Sequence, residues 1–391
     1  MLDQVLLAGQ FEQAEKLIDQ GEKIDSNLAV FKKNQIFEKI LKLNNFDLLD
    51  KLIAANSIGI DLNEYEQFDG TLFKAISKIN DLDQPKLNRT QSMLSKFKNL
   101  QATVAGKTVL GFFIEQSVKI ELLNILVELG CSVSEKNSSN ESYLHQITKK
   151  NLINETLILQ YAQFLIDQGL DVNEPRLDKK TPLMLAVEER KKNVIDFLLK
   201  NNANPNELDQ KNQNAFYYAV VNQSNGEIYD LLRNYSQPDL NQSTSAQTSI
   251  IFDFLKYLTS VSDPHLKMLK SLIEDGADLY QMNVSNNKNL TALDLALQKK
   301  YELLEMLFNT DKINPEHQDE AGNTLLHKLC MLNLGGQANL GVDHYKKVKL
   351  AIEKGCDPGI KNDSDQTPLM LMLSDNLKIK SVEFLMQINK N

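Results

Sequence analysis

The sequence predicts an all-α solenoid of about ten helix-turn-helix repeats joined by short hairpin loops. Two recurring short signals and the spacing between their copies carry that expectation. The first signal opens a helix: Thr181-Pro182-Leu183-Met184, Thr367-Pro368-Leu369-Met370, Thr291-Ala292-Leu293-Asp294 and Thr324-Leu325-Leu326-His327. The second closes a helix pair: Gly276-Ala277-Asp278, Gly169-Leu170-Asp171, Asn202-Ala203-Asn204, Gly355-Cys356-Asp357, Gly130-Cys131-Ser132 and Gly59-Ile60-Asp61. Thr108, Ser142, Thr181 and Asn214 stand 34, 39 and 33 residues apart, and Thr291, Thr324 and Thr367 stand 33 and 43 apart.

Each part of the pattern has a physical reason. An opening threonine caps the unpaired N–H groups of a first helical turn. Proline behind it costs nothing, because its missing N–H has no partner there. Val194-Ile195-Asp196-Phe197-Leu198-Leu199 places apolar residues at helical spacing for a second helix. Glycine or asparagine after it permits the left-handed stop. Taken in order, the repeats begin with Leu2–Asp25, whose two short helices are split at Gly9-Gln10, and 34–63. They continue with copies opened near Gly70, Thr108, Ser142, Thr181, Asn214, Ser249, Thr291, Thr324 and Thr367. Three stretches read as insertions: Asn80–Ala105, Ser260–Pro264 and Leu332–Asp343, the last containing Gly335-Gly336.

A period near 33 with a Thr-Pro-Leu-His-like tetrapeptide resembles the ankyrin repeat, most fully over 181–206. The resemblance divides the chain into capping and first repeats at 1–63, divergent repeats with a long insertion at 64–140, and more regular repeats at 141–391. It also implies a non-enzymatic scaffold that captures a partner protein on a concave groove. That side is built from hairpin tips and the ends of first helices. The corresponding positions here are Leu177, Lys180, Glu188, Glu189, Tyr217, Val221, Asn222, Leu290, Lys299, Met331 and Leu332. Tyr217 replaces the histidine of the tetrapeptide, so it reads either as groove surface or as core filler.

Little chemistry is expected. His145 and His327 occupy the tetrapeptide's histidine slot, and His265, His317 and His344 stand apart in loops or helix starts. Cys131 and Cys356 replace the alanine of Gly-Ala-Asp, and Cys330 also takes a small-residue slot. These are places for inert buried thiols. A thiol hydrolase built on Cys330 and His344 is the competing reading, and burial of Cys330 would end it. No phosphate loop, dinucleotide fingerprint, zinc motif or nucleophile elbow is present, so neither a catalytic residue, a metal nor a cofactor is expected.

Hydrophobic residues make up 42% of the 391 and charged residues 24%, the balance of a folded water-facing chain. A net charge of −9 argues against nucleic acid as partner, and no apolar run is long enough for a membrane span. The expected state is a monomer in a cytosol. Arginine occurs only at Arg89, Arg176, Arg190 and Arg233, and lysine and asparagine are abundant. With a repeat array, that bias suggests an effector that a host-dependent bacterium delivers into a host cell's cytosol, or the targeting module of a larger effector. The last helix, Ser381–Asn389, is apolar at Val382, Phe384, Leu385, Met386 and Ile388. It is expected to leave a bare patch or to be covered by a longer chain.

Overall fold

The structure is a computed structural model that describes residues 1–66, 68, 71–79, 81–149, 155–285, 288–335 and 338–388. Gly70, Asn80, Gly336 and Asn389, which delimit predicted features, lie outside those residues. The chain forms two compact units, Met1–Ala203 and Asn204–Asn391.

Within the first unit the described residues form six helix pairs: α1 Leu2–Ala8 with α2 Phe11–Asp19, α3 Val30–Lys42 with α4 Phe46–Ala54, α5 Leu72–Ile76 with α6 Gln84–Leu94, α7 Val109–Glu115 with α8 Ile120–Glu128, α9 Tyr143–Lys149 with α10 Glu155–Asp167, and α11 Pro182–Glu188 with α12 Lys192–Lys200. The second unit adds α13 Ala215–Tyr217, which widens into a π turn at Tyr218–Asn222, with α14 Gly226–Arg233, then α15 Ile250–Tyr257 with α16 Asp263–Glu274. An antiparallel hairpin, β1 Met282–Ser285 and β2 Lys288–Thr291, pairs Met282 with Thr291 and leads into α17 Ala292–Leu297 and α18 Tyr301–Phe308. The pair α19 Leu325–Met331 and α20 Ala338–Glu353 follows. Short 3-10 turns at Met370–Met372 and Asn376–Lys378 then run into α21 Ile379–Ile388.

Most of the predicted caps form, Ser249 being an exception with no side-chain cap bond. The hydroxyls of Thr108, Thr181, Thr291 and Thr324 each accept the backbone N–H three residues on, and the Asn214 amide oxygen does the same. Predicted stops form at Gly130 and Gly276, with φ of 94° and 101°, and at Asn202 with 66°, whereas near Gly59 the left-handed residue is Asn56. Ahead of each opening residue, the position two earlier is left-handed at Gly106, Asn140, Lys179, Asn212, Gln247, Gly322 and Asp365. The side chains of Asn137, Asp209, Asp319 and Asn362 fold these tips by accepting the backbone N–H groups two and four residues on.

The stretch Asn80–Ala105 is not an insertion, as the sequence reading had it. It contains α6, the second helix of its repeat, which packs beside α4 and α8. Only Thr90, Met93 and Leu94 of α6 are buried, so its apolar stripe is too thin to show as helical periodicity. Ser260–Pro264 and Leu332–Asp343 are likewise absorbed in part by long second helices, α16 of 12 residues and α20 of 16.

The last Thr-Pro-Leu-Met also departs from expectation, since it opens a 3-10 turn and no α-helix. Met370 and Leu373 there are 53% and 55% exposed. Short helices draw most of their stability from packing, and this one has little. In α21, Leu385 is buried and Phe384 is half-buried with its ring edge-on to Tyr345 at 5.8 Å. Ile379 and Met386 are exposed.

Polar stitches join neighbouring repeats inside each unit. A first helix ends with carbonyls that have no helical partner. A lysine from the following repeat donates to them: Lys39 to the Leu7 carbonyl at 2.7 Å and Lys191 to that of Thr148 in the first unit. In the second unit Lys299 reaches Leu258 at 2.7 Å, Lys347 reaches Leu297 at 3.1 Å, and Lys378 reaches Cys330 at 2.9 Å. Lys347 and Lys378 are each only 4% exposed. Lys378→Met, which keeps the stem and removes the donor, should cost about 1–3 kcal/mol through the stranded carbonyl. Lys200→Met, at an exposed pair with Asp196, should cost under about 0.5 kcal/mol. Urea denaturation of the two variants checks the contrast, and equal losses would remove the stitching account.

Candidate functional site

The residues expected to meet a partner separate into distinct settings. In the first unit, Leu177 stands 68% exposed at a hairpin tip. Lys180 and Glu188 pair at 2.6 Å and both are half-buried, while Glu189 is exposed. Beside them Arg176 binds Asp178 through two N–H groups at 2.7 and 2.8 Å and Glu141 at 2.8 Å, and Lys149 also pairs with Glu141. This tip is a self-compensated ion network around one exposed leucine.

In the second unit, Tyr217 belongs to the core. It is 6% exposed, and its hydroxyl donates to Asp253 at 2.9 Å. Burial, with the Asp253 carboxylate beside it, raises its pKa. A tyrosine hydroxyl can be buried only with a partner, and Asp253 in the next repeat supplies one, so this position leaves the list of contact residues. Tyr218 is buried too and donates to Asp209 at 2.6 Å. Val221 is half-buried and Asn222 exposed at the end of the π turn.

The remaining four candidates converge. Leu290, Lys299, Met331 and Leu332 line one groove of about 600 Å³, between α17 and α19 with α20 beside them. Leu297, Leu334 and Leu340 add apolar wall, and Asp294, Lys300, Lys328, Asp343 and Lys347 add charge. Met331 is 45% exposed there. The wall from α20 was missed in the sequence because Leu332–Asp343 read as a loop.

Three of the five histidines are structural. His145 Nδ1 accepts the Ser142 backbone N–H at 3.2 Å, so its Nε2 donates to the Lys180 carbonyl at 3.0 Å. His327 repeats this with Thr324 and Gln366. At Thr291 the slot holds Asp294, which closes a capping box and pairs with Lys328 at 2.8 Å. His344 lies inside α20, not in a loop or at a helix start. It is 1% exposed and bonded to Ser381 Oγ at 2.8 Å and the Leu329 carbonyl at 3.0 Å.

Cys330 is fully buried, and burial pushes its thiol up to about 12. Both features end the thiol-hydrolase reading, because a nucleophilic cysteine needs an accessible thiolate. Cys131 and Cys356 are buried as well, with thiols raised to about 11 and about 12. Among the described residues no group of three histidine, cysteine or carboxylate side chains could hold a metal, and no helix is long and apolar enough to cross a membrane.

Comparison with known proteins agrees with this geometry. Residues 158–244 match the family model of ankyrin repeats, in three copies. Over those residues the repeats are ankyrin repeats. Alpha-latrocrustotoxin-Lt1a of Latrodectus tredecimguttatus is 28% identical over 181 residues, 44% of this chain and 12% of the toxin. Ankyrin repeat protein L371 of Acanthamoeba polyphaga mimivirus is 24% identical over 330 residues, 82% of this chain and 38% of the viral protein. This chain thus spans well under half of either relative. The ankyrin repeat domain of Bcl-3, a solved structure, aligns with a TM-score of 0.49 at 19% identity, covering 62% of this chain and 99% of that domain.

Two outcomes follow for the buried groups. The three thiols should react with a disulfide reagent orders of magnitude more slowly in the native chain than after denaturation; fast native labelling of Cys330 would contradict its burial. Burial lowers the His344 pKa to about 4, so between that value and the ordinary unfolded value near 6.5 the unfolded state binds more protons. Stability is therefore full above about pH 6.5 and falls as the pH drops towards 4, by on the order of 3 kcal/mol from this residue. Denaturation midpoints measured across that range should fall less steeply in His344→Gln.

Proposed function

We propose that this chain is a scaffold that holds a partner protein, and that the partner seats in the groove between α17 and α19. The observation that carries the proposal is the meeting of Leu290, Lys299, Met331 and Leu332 in that groove, with a half-exposed methionine in an otherwise folded wall. Leucines, a methionine, lysines and aspartates line it together, the mixture of apolar and polar side chains that protein contact surfaces carry. Packed repeats fix the backbone beneath these side chains, so little ordering cost falls on binding.

The narrower reading is an effector of a host-dependent bacterium, acting on a host protein. Its only support is the richness in lysine and asparagine, and the relatives named above come from a spider and a virus. Protein capture is therefore the extent of the proposal.

The test compares what the intact chain, Met331→Asp and Leu177→Asp each retain from a cell lysate, quantified by mass spectrometry, with thermal midpoints measured alongside. Specific partners should fall by roughly tenfold for Met331→Asp with the midpoint unchanged, and should persist for Leu177→Asp. Loss with Leu177→Asp and retention with Met331→Asp would move the contact surface to the first unit.

A further inference from the structure

We infer that the groove between α17 and α19 takes an acidic segment of its partner protein, with a carboxylate at Lys299 and Lys300 and an aliphatic side chain against Met331. The inference rests on the groove being the partner's seat.

The whole chain carries a formal −9, but the groove has the opposite sign. Lys299, Lys300, Lys328 and Lys347 line it against two carboxylates, Asp294 and Asp343. Both carboxylates are engaged: Asp294 with Lys328 at 2.8 Å and Asp343 with Lys347 at 2.7 Å. His344, also in the lining, is held neutral by its burial. Lys328 also meets Asp319 at 3.3 Å, and Lys299 and Lys300 are left without a carboxylate among the described residues.

Those two lysines are adjacent in the chain and differ in setting. Lys300 is exposed. Lys299 is half-buried, and among the described residues its ammonium makes no ion pair, only the bond to the Leu258 carbonyl. An ammonium has three donors, so that carbonyl leaves two to satisfy. Partial burial without a counter-charge already lowers the Lys299 pKa. A carboxylate brought by a partner would supply the missing charge where water is partly excluded, and such charge-assisted bonds are the strong ones.

Beside the charge lies apolar surface. Met331, with its flexible thioether, adapts to an incoming aliphatic group, and Leu290 and Leu332 line the same groove. Two lysines over a leucine floor, with no arginine and, His344 being buried, no exposed aromatic ring among the described lining residues, are a poor match for a nucleic-acid strand, which needs a wider basic track and stacking surfaces. A protein segment that places Asp or Glu next to Leu, Ile or Met matches both the charge and the wall.

The test selects short random peptides displayed on phage against the intact chain, then measures synthetic copies of the selected peptides by fluorescence anisotropy at low and high salt. Selected peptides should be rich in Asp or Glu beside an aliphatic residue and should bind Met331→Asp about tenfold more weakly. They should also weaken severalfold with Lys300→Glu, an exposed change that breaks no described bond, and weaken with rising salt. Charge-reversed peptides should regain affinity for Lys300→Glu. Peptides that depend on Met331 but show no acidic excess, or that bind Lys300→Glu unchanged, would overturn this inference and leave the groove as a seat. Failure to select any peptide sensitive to Met331→Asp would overturn the groove itself. Self-association that disappears in Met331→Asp, seen by sedimentation, would make a second copy the occupant and overturn the acidic segment.

Discussion

Most repeats of this protein begin with a short helix, and a short helix leaves most of its terminal carbonyls without a helical partner. The stacking in both units depends on meeting that demand from the next repeat. Lysine does so at Leu7, Thr148, Leu258, Leu297 and Cys330. A long flexible stem with three donors can thread between packed helices and serve one carbonyl or two, as Lys347 does with Leu297 and Lys299. The rigid fork of arginine is less suited to that reach. Part of the lysine excess is thus structural.

The opposite end of the first helix is tied with equal economy. Imidazoles at His145 and His327 bridge their own opening turn to the carbonyl ahead of the next one. Where the histidine is absent, other chemistry makes the same connection: Tyr217 to Asp253, and Asp294 to Lys328. The hairpin tips add backbone bonds from one repeat to the next, such as Ser245 to Lys211 and Asp363 to Ala321. At four slots, then, His145, Tyr217, Asp294 and His327 reach the next repeat with different chemistry.

This explains how much could be read from the chain. The opening threonines and closing glycines act locally, through caps and left-handed stops, and so they were legible wherever they occurred. The second helix α6 was not, because it buries one polar and two apolar side chains and has no periodicity to betray it. Tyr217 was ambiguous because its partner, Asp253, lies 36 residues away. The groove was half legible. Leu290, Lys299, Met331 and Leu332 followed from repeat positions, whereas the α20 wall lay in a stretch that looked like loop. Thr367 shows the converse error: a good tetrapeptide does not make a helix where packing is thin.

The π turn at Tyr218–Asn222 has a consequence for length variation in the array. Relative to the repeat opened at Thr181, the left-handed residue that follows the first helix comes one position later, at Ser224 instead of a place matching Arg190. In an ordinary helix one added residue would rotate everything after it by about 100°. It would turn the buried face of α14 towards water. The wider turn takes up the added residue within a single loop of backbone, so Ile228, Tyr229 and Leu232 still point inward. The repeat thus works as a phase corrector: an odd residue is spent where it occurs, and the next repeat starts in step.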